Sequence, residues 1–230
     1  IDAADVALGE TAVDVLLPGG GTAAEAADDG AGAEDDAAGE RHLIPSDGLF
    51  SSQWYMQNTV SGELDLNVTD VWDDYTGDGV DIAVLDDGFD RDHPEFDNFD
   101  FGRDQDFLDD DAVAEAVDFN DNHGTAVMGI LGAAQDGSGT VGVAFDSTLI
   151  GYRMGFSGTE FLPNIVEGLD QMVTDNVEVI NMSIGLISNW IRNSNTDAVE
   201  TAVLNAINNG RGGLGGIIVK SAGNGRNDIP

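Results

Sequence analysis

The chain has 230 residues, with 44 Asp and Glu against 8 Lys and Arg, a formal net charge of −36, and no cysteine. That charge argues against a nucleic-acid partner, because phosphate is repelled. The lack of cysteine removes disulfide and thiolate chemistry, and no apolar run approaches the ~20 residues of a membrane span. Such acidity suits high salt, which screens self-repulsion, or calcium-rich surroundings, where carboxylates are hard-cation ligands; charge alone does not choose.

In chain order, residues 1–45 stand apart. The run PGGGTAAEAADDGAGAEDDAAGE has almost no large apolar residue and cannot bury enough surface to offset its ordering entropy. Residues 1–45 are therefore expected to form a disordered acidic linker or spacer. From 46 to 230 the pattern is globular. VDIAVLDDG reads as a buried strand. HGTAVMGILGAAQ reads as a helix with Val127, Ile130, Leu131 and Ala134 at helical spacing. STLIGYRM is a second strand. FLPNIVEGLDQMVTDN places Leu162, Ile165, Val166, Leu169, Met172 and Val173 on one helical face. VEVINMSIG is a third strand. TDAVETAVLNAINNG is a helix with Val199, Ala202, Val203, Ala206 and Ile207 inward, ending at Gly210. LGGIIVKSAGNG is a fourth strand. This alternation predicts an α/β fold, a mostly parallel sheet with helices on both faces and incomplete at its C-terminus. Sites in such sheets form beyond the carboxyl ends of the strands, where Asp86, Asn181–Gly185 and Asn224 gather. The chain starts at Ile1 and stops soon after a glycine-rich turn, so it reads as a piece of a longer protein.

Taken singly, the chemical residues are ambiguous. Asp86 and Asp87 before Gly88 could be a turn, His123 a polar helix start, and Asn224 a turn residue. Their order is more specific. Asp ends a strand, HGTAVMG opens a helix, VINMSIG follows, and AGNG closes another strand. This arrangement resembles the subtilisin-like serine protease family from about Asp47 to Asn227. FSSQWYMQNT, LDLNVTDVWDDYTGDGVDIAVLDDG, DFNDNHGT and NNGRGGLGGIIVKSAGNG resemble its kexin and furin branch.

The resemblance implies an endopeptidase with an Asp-His-Ser triad. A serine hydroxyl needs a neighbouring base, and a carboxylate fixes that base's tautomer and stabilises its cation. By resemblance Asp86 is the orienting carboxylate, His123 the general base and Asn224 the oxyanion donor. Gly124 and Thr125 would let the helix approach the sheet. Ser183, Ile184 and Gly185 would bind a polypeptide substrate by adding it as a strand. Asp87 and Asp121 would face a basic substrate side chain. Ser188 and Asn189 stand where the branch has acidic residues, and Arg192 adds a positive charge, so the pocket before the scissile bond need not demand arginine. The serine's expected GTS context does not occur after Asn224. The nucleophile is expected beyond Pro230, and this segment alone should not hydrolyse peptides.

AAQDGSGTVGVAF resembles the family's calcium loop. Asp136 would give a side chain; Ala134, Ser138 and Thr140 would give carbonyls; Asp47 and Glu95 would close a structural calcium site. A glycine-rich surface loop is the alternative. Asp106, Asp109 and Asp111 could form a second site or a solvated acidic run. The resemblance further implies an extracellular or cell-surface protein, with this domain monomeric inside a multidomain chain. An inactive protease-like binding domain is the competing reading. A nucleotide-binding fold is disfavoured, because the first strand ends in carboxylates rather than a phosphate loop.

Overall fold

The apolar run Ile82–Leu85 becomes the middle of a sheet. A computed structural model describes residues 32–35, 41–58, 60, 62–118, 120–156, 158–185 and 197–223. Its regular elements are β1 (Gly32–Asp35), β2 (Arg41–Ile44), β3 (Asp81–Asp86), β4 (Gln105–Asp106), α1 (His123–Gly132), β5 (Thr148–Arg153), α2 (Phe161–Thr174), β6 (Val179–Met182), α3 (Asp197–Gly213) and β7 (Ile217–Lys220).

Five strands form one sheet in the order β4-β5-β3-β6-β7. Every pairing in it is parallel. The chain lays β5 on one side of β3 and β6 on the other, so the direction of winding reverses at β3. Beyond the carboxyl end of such a strand the flanking connections part and leave a crevice.

Side chains of β3 alternate between two cores, as the pleat requires. Ala83 and Leu85 join Ile150, Tyr152, Ile165, Leu169, Met172, Ala202 and Ala206, the face covered by α2 and α3. Ile82 and Val84 join Phe89, Phe99, Met128 and Leu149, the face covered by α1. Both faces of the sheet are thus covered, which explains why the strand reads as continuously apolar. A third cluster, Phe50, Met56, Val68, Trp72, Val141 and Phe145, packs the entry segment against the loop after α1.

The helices differ from their sequence patterns in detail. In α1 the most buried positions are Gly124, Met128 and Gly132, and the helix ends before Ala134. Val127 and Leu131 are only partly buried against the core. The reason is proximity: a Cβ on Gly132 would lie 2.8 Å from Leu149, so the smallest residues face the sheet and the larger ones flank them. In α3 regular geometry breaks at Gly210–Gly212, as the glycine signal suggested, and Ile207, expected inward, is half exposed. Pro163 falls in the first turn of α2, where its missing N–H costs nothing.

Within the expected spacer, β1 and β2 pair antiparallel with Gly32 opposite Ile44. Leu43 and Ile44 pack against the third cluster, so the apolar end of that segment belongs with the domain. Among the described residues no helix is long and apolar enough to cross a membrane.

Candidate active site

Asp86 is the last residue of the central strand, and His123 is the first of α1. Two glycines allow them to meet. Gly88 turns the chain with φ of 138°, a region that side chains avoid. Gly124 lies so close to the strand end that a Cβ would collide with the carbonyl oxygen of Gly88 and sit 3.0 Å from the Cβ of Asp86. The close approach expected of Gly124 is therefore present. Thr125 contributes differently: its hydroxyl accepts from the N–H of Asp90 at 2.9 Å.

His123 Nδ1 lies 2.7 Å from Asp86 Oδ1. Asp86 is fully buried, while the histidine side chain is 41% exposed. Oδ1 also accepts the N–H of Asp87 at 2.8 Å. Its second oxygen is buried with no hydrogen-bond partner among the described residues. A buried carboxylate so placed holds Nδ1 as the donor and leaves the Nε2 lone pair as the base. The hydrogen bond that His123 donates to Asp86 raises the His123 pKa, partly opposed by burial. The net direction, set by Asp86, favours a site that takes up a proton.

Asp87 does something the sequence did not suggest. Its carboxylate, expected to face a substrate side chain, accepts from α1 through both oxygens. Oδ1 takes the N–H of Gly124 at 2.7 Å, and Oδ2 takes that of His123 at 3.3 Å. Burial pushes its pKa up to about 6, and the Gly124 hydrogen bond pulls the other way.

Arg153, unremarked in the sequence, organises the acidic surroundings. It ends β5 directly opposite Asp86. Its guanidinium donates to the Asp87 carbonyl at 3.2 Å, to Asp106 at 2.5 Å and to Asp109 at 2.9 Å. Asp121 lies 3.8 Å from it. Asp106 and Asp109 thus pair with an arginine, Asp106 buried and Asp109 largely exposed to solvent. Asp121 faces Arg153 and accepts the N–H of Asp118 at 3.0 Å. The available signal was a lone arginine ending an apolar strand. Phe156, also unremarked, stands edge-on to His123 with ring centroids 6.1 Å apart.

The segment after β6 lies on the same side. Ile184 is buried and its carbonyl accepts the Ser221 hydroxyl at 3.1 Å. Ser183 accepts from Asn181 at 2.9 Å. Gly185 is exposed and approaches Gly223. Asn224, Ser188, Asn189 and Arg192 lie outside the described residues.

The loop after α1 gathers the other expected carboxylates. Asp47 Oδ1 accepts from the N–H groups of Asp136 and Gly137, both at 3.2 Å. Glu95 accepts from Thr140 at 3.3 Å. Asp136 accepts from Ser138 at 2.9 Å. Burial raises the pKa of Asp47 and of Glu95, and repulsion from Asp136 raises both further. Asp47 Oδ2 is buried with no partner among the described residues. Among those residues no three His, Cys, Asp or Glu side chains form a metal-holding group by themselves. The set fits a hard cation only if carbonyl oxygens complete it, and the orphaned carboxylate oxygen is consistent with that.

Comparison with known proteins points one way. The model of the subtilase family matches residues 77–230. Bovine furin (Bos taurus) is 34% identical over 202 residues, covering 79% of this chain and 23% of furin. Minor extracellular protease Vpr of Bacillus subtilis (strain 168) is 32% identical over 192 residues, covering 75% of this chain and 23% of Vpr. The solved serine protease of Aeromonas sobria matches with a TM-score of 0.63 at 27% identity, covering 82% of this chain and 34% of that one. The chain spans about a quarter of the length of these two curated relatives.

Proposed function

The chain belongs to the subtilase family, and on that premise we propose that it carries the acid–base half of a serine endopeptidase acting on polypeptides. The observation that supports this most is the 2.7 Å Asp86–His123 pair at the carboxyl end of the central strand, with the imidazole half exposed. His123 Nε2 takes the proton of a serine hydroxyl supplied downstream of Pro230 and later returns it to the leaving amine. Asp86 keeps Nδ1 protonated and stabilises the imidazolium. Asn224 donates its side-chain amide to the oxyanion, an interaction whose loss typically costs ~3 kcal/mol of barrier. The backbone of Ser183–Gly185 pairs with the extended substrate.

Calcium is proposed as a structural ion. Asp47, Glu95 and Asp136 would hold it, with the carbonyls of Ala134, Ser138 and Thr140. Bound there, it would neutralise three mutually repelling carboxylates. An extracellular or surface location, inside a multidomain monomer, fits this use of calcium.

The test is a serine-directed phosphonylating probe applied to the full-length protein. Labelling is expected on a serine downstream of Pro230 and is expected to vanish in His123→Ala. A full-length protein that carries that serine yet never reacts would instead be a binding domain.

A further inference from the structure

We propose that Asp87 is a positioning residue for His123: its carboxylate caps helix α1 and thereby fixes the imidazole against Asp86. The inference rests on the endopeptidase reading above and deepens it.

A helix leaves its first amides without internal partners. The residue before α1, Asn122, is of a type that normally satisfies them. Here its side chain makes no cap hydrogen bond. The amides of His123 and Gly124 are met instead by Asp87, from another element. A negative charge at that end also suits the helix dipole.

The consequence is a closed ring of contacts. Asp86 Oδ1 accepts from the His123 ring and from the N–H of Asp87. Asp87 in turn accepts from the main chain of His123. The histidine is therefore held twice by adjacent carboxylates, by its ring and by its backbone. The ring is anchored from outside as well: Arg153 binds the Asp87 carbonyl, and the N–H of Met154 bonds the Asp86 carbonyl at 2.8 Å. Both Asp87 oxygens are engaged by the helix, and each keeps a second lone pair. An error of about 1 Å in placing a catalytic group can cost ~100-fold in rate, so holding the first residue of α1 is where such a cap acts.

Substitution separates this role from substrate recognition. Asparagine keeps a capping oxygen but loses the charge; alanine loses both. The full-length protein and its Asp87→Asn and Asp87→Ala variants are assayed on two peptides, with Lys or Leu as the second residue before the scissile bond. The proton on His123 Nδ1 is followed by NMR in the same samples. Alanine is expected to lower kcat by ~10- to 100-fold on both peptides, with KM nearly unchanged, and to lose the hydrogen-bonded Nδ1 signal. Asparagine is expected to restore most of kcat and the signal. A loss in Asp87→Asn confined to KM of the Lys peptide overturns the proposal and makes Asp87 a substrate ligand. Unchanged kcat and an unchanged signal in Asp87→Ala also overturn it. Should alanine not fold, the asparagine variant alone decides between the two roles. Should the wild type cleave neither peptide and also not react with the phosphonylating probe, the endopeptidase reading falls, and the Nδ1 signal still decides the cap.

Discussion

Two groups of carboxylates in this chain share a composition and differ in what answers their charge. Around Arg153, the side chains of Asp106, Asp109 and Asp121 converge on one buried guanidinium. Around the loop after α1, Asp47, Glu95 and Asp136 are met by backbone amides. The first group carries its cation in the sequence, so its geometry is complete at any calcium concentration. The second has dipoles only, and burial and repulsion push Asp47 and Glu95 toward the protonated form. Extreme acidity is therefore not one property: part of it is internally neutralised, and part stays open to a hard cation.

The comparison breaks most visibly at Arg153. Arg153→Met removes the cation and leaves Asp106 buried and charged. Destabilisation of about 3–5 kcal/mol is expected by urea unfolding. A loss under about 1 kcal/mol would show that the first group, too, is effectively solvated.

A smaller effect is expected at the second group. Calcium at a hundredfold its Kd should stabilise the full-length protein by about 2.7 kcal/mol, read as a rise in Tm that chelation reverses. Asp47→Asn should lose that rise. An equal rise in Asp47→Asn would place calcium elsewhere. The pH dependence has a definite sign. The folded-state pKa values of Asp47 and Glu95 lie above the ordinary ones, so the folded chain binds these protons more tightly than the unfolded chain. Without calcium, their contribution favours folding at low pH and is lost as pH rises through the raised values.

The smallest effect concerns a third arrangement, in which Asp86 and Asp87 face a cation that titrates. The pKa of His123 is raised chiefly by Asp86. The acid limb of kcat/KM should therefore have its midpoint above the ordinary ~6.5, because the base acts only when neutral. Asp86→Asn should lower that midpoint along with activity. An unmoved midpoint would mean that Asp86 orients the ring without stabilising its charge.

Much of the fold was legible because buried parallel strands and amphipathic helices write their periods into the chain. Four of the five strands of the parallel sheet, β3, β5, β6 and β7, fall within the segments read from the sequence, and the inward residues of α2 follow its helical spacing. The inward face of α1 was not legible, since close packing put glycines where apolar spacing points to bulk. The two-residue strand β4 is too short to show a period. Asp86 and His123 could be read because the motifs that carry them, in that order, resemble those of the subtilisin-like family. The cap by Asp87 and the cluster around Arg153 could not, because both join residues tens of positions apart, and local spacing carries no trace of such partners.

The central position of β3 also has a kinetic side. Its ladder partners come much later in the chain: Ile82 pairs with Leu149 and with Val179. At ~5–20 residues per second of synthesis, Val179 follows Ile82 by roughly 5–20 s. Until Leu149 is made, roughly 3–13 s after Ile82 at that rate, Ile82–Leu85 is an unpaired, apolar, β-prone run, the kind of segment that aggregates. It is bracketed by Asp81 on one side and by Asp86 and Asp87 on the other. Charges in those places act as gatekeepers against wrong pairing. The two aspartates that hold the histidine in the folded protein thus guard the same strand while it waits for its neighbours.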